Sequence, residues 1–420
     1  GGAGAAPARV LMAVPHAVPF VARAEIFQEL VKEERRRLGL GLSRAQGGPR
    51  PTRITVRRGM EVEGAFAALS GPRGKEAIRG ALDISYLNQQ GLEEAGLDYG
   101  GLMKEFLVET TKAGFDPNYG LFEAGEGNLL RPRPAAQHIP EGLPMLELLG
   151  RLVGRCMLEG LLMDVAFAPF FVSKILGRYC FLDELAGLDP EVHRSLVSIK
   201  RYEGDAADLG LDFTVSEDVF GAVVTHELRP RGGETPVMDE NKLLYVHLVA
   251  DWHLNKRVHA VSSAFIGGLL QVIPPSWLRM FNPREFNQLL SGGHVEVDVA
   301  DLRAHVKYSG GYADDSRSVK LFWEVVGKFN HEERSALLKF VTTCGRPPLL
   351  GFKHMAPQFT IHKVECESSF FAAIGGKDAE RLPSASTCFN TLKLPNYKRA
   401  GTMREKLLYA IRSGAGFELS

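Results

Sequence analysis

Apolar residues recur at helical spacing over residues 18–36, where Phe20, Val21, Ile26, Phe27, Leu30 and Val31 share one face. The spacing predicts a loop that turns into an amphipathic helix. Alternation of period two over Thr52–Arg57 predicts a short strand. Helical spacing returns over Glu61–Ala68, and again from the glycine turn at Gly100-Gly101 to Ala113. Phe115–Phe122 reads as a turn followed by a strand, with Tyr119 expected to be buried. The most apolar stretch, Met145–Leu176, is interrupted by Arg151, Arg155, Glu159 and Asp164. It lacks an uncharged run of about 18 residues, so it predicts helices buried in a core, not a membrane span.

The pattern changes near residue 181. Asp189-Pro190 opens a helix whose Val192, Leu196, Ile199 and Tyr202 form one stripe. Strands are expected over Leu209–Val215 and Phe220–Arg229, a turn at Gly232-Gly233, and a helix over Glu240–Lys256. Residues 181–265 thus form a small α+β insert in a mainly helical body. A stripe in so small a unit is core packing or faces a partner. Tyr308-Ser-Gly-Gly-Tyr312 predicts a hinge, because Gly310 and Gly311 permit many backbone angles. Helices over Val319–Lys328 and Glu332–Thr342, strands over Gln358–Lys363 and Thr391–Leu394, and a helix over Met403–Ser413 then build a second, smaller unit. The expected fold class is α+β: a poorly ordered end at 1–14, a large unit at 15–307, a hinge at 308–312 and a small unit at 313–420.

Composition narrows the function classes. A chain of 420 residues exceeds one ordinary core. Fifty basic residues balance fifty acidic ones, so no overall field draws the chain to nucleic acid or to a membrane surface. The acidic cluster Glu93, Glu94 and Asp98 lacks a compact metal pattern and is expected to be solvated. The glycine-rich segment 38–51 is not followed by GK[ST], which leaves a phosphate-binding loop unsupported. The five cysteines show no CxxC pair and no zinc spacing. That argues against a disulfide framework and for a reducing compartment, the cytoplasm or nucleus. The first residues lack a starting Met and a signal pattern, so the chain is expected to be the C-terminal part of a longer protein.

One cysteine stands out. Cys388 lies between Pro383 and Pro395, in Leu-Pro-Ser-Ala-Ser-Thr-Cys-Phe-Asn-Thr-Leu-Lys-Leu-Pro. Prolines fix φ and disfavour helix, so this is a rigid loop. Its thiol is a nucleophile or a small buried side chain. Thr387, Asn390 and Arg381 orient that thiol or hydrogen-bond the loop backbone.

Gly-Leu-Asp-Tyr-Gly-Gly-Leu-Met-Lys-Glu-Phe at 96–106, Tyr-Ser-Gly-Gly-Tyr at 308–312, Phe322-Trp323, Arg-Pro-Pro-Leu-Leu-Gly-Phe at 346–352 and the Cys388 segment occur in an order that resembles the HECT domain of ubiquitin ligases. The ending Leu-Leu-Tyr-Ala-Ile-Arg-Ser-Gly-Ala-Gly-Phe-Glu-Leu-Ser is most similar to the proteasome-associated subgroup. The resemblance covers essentially residues 15–420. It implies a bilobal domain: a mainly helical N-lobe carrying the insert that binds an E2, a flexible hinge, and a smaller C-lobe.

The same resemblance implies that Cys388 accepts ubiquitin from a charged E2 as a thioester and passes it to substrate lysines. Thioester exchange keeps the carrier reactive, whereas serine would form a more stable ester. Many members carry a histidine two residues before the cysteine; here that position is Ser386. His362 is not a justified replacement, so Cys388 is expected to act without a local base. By resemblance, Thr387 supports the thiol, and Phe417, fourth from the end, serves transfer. Glu418 or the terminal carboxylate is placed to deprotonate the lysine. Val192, Leu196, Ile199, Tyr202, Leu211 and Tyr245 resemble the E2 groove, and Tyr119 lies where some relatives bind a second ubiquitin. No metal, nucleotide or organic cofactor is implied. Implied partners are a ubiquitin-charged E2, ubiquitin, substrates with acceptor lysines, and the proteasome. Two other functions are consistent with the residues: an inactive HECT-like scaffold that binds E2 or proteasome, and a cysteine hydrolase.

Overall fold

The computed structural model describes residues 13–42, 47–88, 90–94, 101–293, 296–364 and 379–413. Helix α1 spans Phe20–Arg37 and ends in three arginines, which suit the negative end of the helix dipole. Its buried Arg23 donates to Val18 O at 2.8 Å and forks onto Glu285 at 2.8 and 2.7 Å. Strand β1 (Thr52–Arg57), helices α2 (Glu61–Leu69) and α3 (Pro72–Ala77) and strand β2 (Leu82–Leu87) follow, with β1 and β2 paired in parallel.

Helix α4 (Gly101–Phe115) leads to the hairpin of β3 (Phe122–Ala124) and β4 (Leu130–Pro132). Helix α5 (Gly142–Glu159) is the axis of the large core, and α6 (Pro169–Ile175) follows it. The insert contributes α7 (Pro190–Lys200), the hairpin of β5 (Thr214–Val219) and β6 (Ala222–Glu227), and α8 (Lys242–Asp251), which runs into a π-helical turn over Trp252–Lys256. Helices α9 (His259–Val272) and α10 (Pro283–Ser291) complete this part.

Glycines let α5 and α9 meet backbone to backbone. A Cβ at Gly150 would stand 1.9 Å from Phe265 O, and one at Gly268 would stand 1.8 Å from Glu147 O. Around this crossing Phe115, Phe122, Phe167, Phe171 and Phe265 pack largely edge to face, with centroids 4.8–6.4 Å apart. The charges that interrupt the apolar run of α5 are structural. Buried Arg151 donates to Leu69 O at 2.9 Å, and buried Arg155 donates to Ile78 O and Gly80 O at 2.7 and 2.6 Å. Both caps fix the β1–α2–α3–β2 unit to the core axis through backbone carbonyls at helix ends.

A second hydrophobic core begins at Val297, whereas Leu290 still belongs to the first. It contains α11 (Val299–Ala304), β7 (Lys307–Ser309), α12 (Arg317–Gly327), α13 (His331–Thr342), β8 (Thr360–Val364), β9 (Ser384–Ser386), β10 (Thr391–Pro395) and α14 (Ala400–Ser413). The sheet order is β7-β8-β10-β9; β8 runs parallel to both neighbours and β9 antiparallel to β10. Val319, Phe322, Val326, Leu338, Ile361, Leu392, Leu394 and Leu407 fill the space between sheet and helices.

The mixture of helices and sheets agrees with the expected α+β class. Some boundaries differ. The first strand of the insert starts at Thr214, because Asp212 Oδ1 accepts from Thr214 N at 3.0 Å and turns the chain there. Phe220 lies in the hairpin turn, not in a strand: Phe220 and Gly221 both have positive φ, 52° and 85°. Gly310 and Gly311 follow β7, whose Tyr308 and Ser309 pair with Ile361 and His362. The two glycines therefore lie within the second core, after the change of core. Among the described residues no helix is long and apolar enough to cross a membrane, and no group of acidic, histidine or cysteine side chains is arranged to hold a metal ion.

Gly268→Ala is expected to destabilise the large core by about 1–3 kcal/mol, because the added methyl meets a backbone carbonyl that cannot move without shifting α5. An unchanged urea midpoint would contradict the backbone-to-backbone crossing.

Candidate functional site

Cys388 sits in a tight turn between two antiparallel strands. β9 ends at Ser386, one 3-10 turn spans Thr387–Phe389, and Asn390 adopts the left-handed conformation at φ 48°, ψ 42° before β10 begins. Asparagine tolerates that region because its short amide bonds locally. Asn390 Nδ2 donates to Pro357 O at 2.5 Å, and Asn390 O accepts from Thr360 N at 2.9 Å. The turn is thus tied to β8 and to the loop before it.

The other half of the site comes from the large core. Lys104, near the start of α4, donates through Nζ to Thr387 O at 2.7 Å and to Asn390 Oδ1. Its neighbour Glu105 accepts from Cys388 Sγ, with Oε2 at 3.4 Å. Arg58 pairs with Glu105 and, at 2.9 Å, with Glu94, while its guanidinium lies 3.8 Å from the centre of the Tyr86 ring. Glu94 is therefore part of this network and not merely solvated; Glu93 pairs with Arg53. The ring of Phe389 covers Gly101, where a Cβ would meet ring carbons at 2.5–3.0 Å.

Closure sets the electrostatics. Cys388 is 8% exposed. Burial, followed by the charge and hydrogen bond of Glu105, pushes its thiol up to about 12 despite the opposing charge of Lys104. Burial lowers the Lys104 ammonium to about 8. A neutral thiol that donates to a carboxylate is in its protonated form, whereas the thiolate is the nucleophilic one. Beside this seam, a cleft of about 550 Å³ opens between the cores, lined by Phe27, Met157, Leu161, Leu349, Met355 and, at the seam itself, Lys104 and Asn390.

The profile of the HECT-domain (ubiquitin-transferase) family matches residues 108–420, which include Cys388 and its turn. The chain belongs to the HECT-domain family. Similar proteins include Ubiquitin-protein ligase E3B of Mus musculus, 40% identical over 98% of this chain and 40% of that protein. E3 ubiquitin-protein ligase UPL6 of Arabidopsis thaliana is 38% identical over 98% of this chain and 39% of that protein. E3 ubiquitin-protein ligase HUL5 of Saccharomyces cerevisiae is 36% identical over 98% of this chain and 45% of that protein. The chain thus spans less than half the length of these relatives.

In this HECT domain Thr387 precedes the thiol in the turn and lends its carbonyl to Lys104. His362 is bonded to Ser309 at 2.9 Å, so the polar partner of Cys388 is Glu105 and not that histidine. Phe417 and Glu418 lie outside the described residues. Leu196 and Tyr245 of the expected E2 groove are buried, and Tyr245 packs on Phe213 with ring centres 5.6 Å apart. Val192, Ile199 and Leu211 are half-buried against the same core, and Tyr202 is half-buried beside Gly204. Tyr119 is half-buried, and its hydroxyl donates to Glu63 Oε1 at 3.0 Å.

Lys104 and Glu105 lie in the family-like segment 96–106, but nothing in the sequence placed them beside Cys388, and Arg58 carried no signal at all. Glu105 and Cys388 stand 283 positions apart, and only the fold brings them together.

Asn390→Ala removes two buried side-chain bonds and puts alanine in a left-handed position, so a loss of at least about 2 kcal/mol is expected. Asn390→Gly should recover the backbone part only. Equal urea midpoints for wild type and Asn390→Ala would contradict this account of the turn.

Proposed function

We propose that this chain is the transferase portion of a HECT-type ubiquitin ligase. Cys388 accepts ubiquitin from a charged E2 as a thioester and passes it to a substrate lysine. The observation that carries this reading is the placement of Cys388 in a rigid turn within the family match. Cysteine suits the carrier role because thioester exchange is nearly balanced in energy and the product stays open to amine attack.

In this reading the two hydrophobic cores are the two lobes of the domain, and they move relative to one another between loading and transfer. The pivot lies where the cores change, between Leu290 and Val297, ahead of Gly310 and Gly311. The insert at 181–265 recruits the E2. Its half-buried Val192, Ile199, Tyr202 and Leu211 line the edge of the contact over the buried floor of Leu196 and Tyr245, and the exposed Met238, Leu243 and Leu244 extend it. An apolar centre with a tyrosine at its edge suits a transient protein interface. Tyr119 lies at a second, non-covalent ubiquitin contact, and Phe417 positions the loaded thioester for lysine attack. The similarity of the last residues to the proteasome-associated subgroup extends the proposal to proteasome docking, in the cytoplasm or nucleus.

The buried, protonated thiol favours one competing reading, an E2-binding scaffold without chemistry. A reaction with charged E2 enzymes separates the two. The transferase forms a ubiquitin adduct on the chain that reductant removes, and Cys388→Ala forms none. Persistence of the adduct in that variant, or its absence from wild type with every E2, refutes the role of Cys388. Phe417→Ala should keep the adduct and slow lysine transfer by at least about tenfold; equal loss of both steps would mark Phe417 as structural.

A further inference from the structure

Lys104 faces the cleft between the cores as well as the turn. An ammonium carries three donors. Among the described residues Lys104 uses two of them, on Thr387 O at 2.7 Å and on Asn390 Oδ1. The residue is only 8% exposed. Among those residues no carboxylate answers its charge: besides burial, the groups that act on it are the thiols of Cys388 and Cys344. A buried cation without an anion is costly, and an anion set beside it offsets that cost.

The cleft supplies room for such an anion and an apolar bed for its remainder. Its volume of about 550 Å³ falls within the range of small-ligand sites. Phe27, Val31, Met157 and Leu161 line it from the large core, and Leu349 and Met355 from the segment after α13. Leucine and methionine side chains adapt to a flexible alkyl chain more readily than to one rigid shape. The carboxylate that lines the cleft, Glu159, is taken up by Arg35 and, at 2.7 Å, by Arg155. Lys32 and Lys353 stand exposed at the rim; Lys32 pairs with Glu29 at 2.6 Å, and Lys353 makes no ion pair among the described residues. The charge left over in the lining is therefore positive.

We propose that this cleft binds a free fatty acid, with the carboxylate beside Lys104 and the alkyl chain along Phe27, Leu161, Leu349 and Met355. The ligand touches both cores, so it favours their docked orientation. Its carboxylate uses the remaining donor of the ammonium that holds the turn, and Cys388 stays covered while it is bound. This binding does not depend on Cys388 carrying ubiquitin. If Cys388 does, the fatty acid opposes loading by holding the seam closed.

The test is isothermal titration calorimetry of the 420-residue chain with decanoate at pH 7, where the ligand is ionised. Decanoate should saturate a single site. Decanol has the same chain without the charge and should bind at least about tenfold more weakly, through loss of a charge-assisted hydrogen bond. The shorter hexanoate should also bind at least about tenfold more weakly, because fewer methylenes are buried. Leu349→Trp puts an indole into the cleft and should abolish binding, with cooperative thermal unfolding as the check that the variant is folded. With decanoate about a hundredfold above its dissociation constant, iodoacetamide should label Cys388 at least about tenfold more slowly. Failure of decanoate to bind overturns the proposal. So does equal affinity for decanol, which needs no variant to measure, or unchanged binding in folded Leu349→Trp. Saturable binding that leaves the labelling of Cys388 unchanged overturns the bridging of the two cores.

Discussion

The turn that carries Cys388 depends on one buried cation. Lys104 reaches from the large core across to the second core and donates to the backbone of Thr387 and the side chain of Asn390. An ammonium taken out of water is costly unless its donors are used, and burial has already lowered its pKa to about 8. The bonds to the turn offset that cost only when the second core is docked in this orientation. Glu105 is set down against Cys388 by the same docking, as is Gly101 under Phe389. Other links between the cores include the buried Cys344 Sγ donating to Ser291 O at 3.4 Å, Arg346 donating to Ser291 Oγ at 2.6 Å, Gly293 N donating to Pro347 O at 3.0 Å, and the exposed pair of Lys339 with Asp164. The links at the start of α4 are the ones that touch the turn carrying the thiol.

The seam gives the closed site a defined pH response. The thiol rises from its ordinary 9 to about 12, so closure favours the protonated form. That contribution is complete below pH 9 and is lost as pH rises toward 12. Lys104 acts in the other direction. Its pKa falls from 10.5 to about 8, so closure opposes the charged form, and that opposition fades as pH rises from 8 to 10.5. Near neutral pH the free chain keeps the Cys388 thiol protonated and covered. Under the proposed transferase reading this arrangement protects the bare sulfur, and opening of the seam exposes it for loading.

Much of the fold was legible because it rests on local periodicity. The helices at 20–37, 101–115, 317–327 and 331–342 follow from apolar spacing, and the turn around Cys388 follows from Pro383, Pro395 and Asn390. Strand β2 was not marked, since Asp83 and Ser85 interrupt the apolar residues of Leu-Asp-Ile-Ser-Tyr-Leu and no turn signal of its own sets it off from the preceding helix. The stripe on α7 was correctly seen as one face, but spacing cannot say how deeply a face is buried. Leu196 is core while Val192 and Ile199 remain half-buried. Two adjacent glycines suggested a hinge, yet strand pairing at Tyr308 and Ser309 draws that segment into the second sheet. The site was half legible. The thiol and its turn are local, whereas the Lys104–Glu105 contact joins residues 283 positions apart and has no local trace.

The claim most exposed to test is that the Lys104–Glu105 seam covers Cys388 in the free chain. Iodoacetamide labelling at pH 8, read peptide by peptide by mass spectrometry, separates Cys388 from the buried Cys156, Cys180 and Cys344. A covered, protonated thiol predicts labelling of Cys388 at least about tenfold slower than a small, freely exposed thiol, with Lys104→Ala speeding it up. Labelling of wild-type Cys388 as fast as that reference thiol, unchanged in Lys104→Ala, would contradict the closed site.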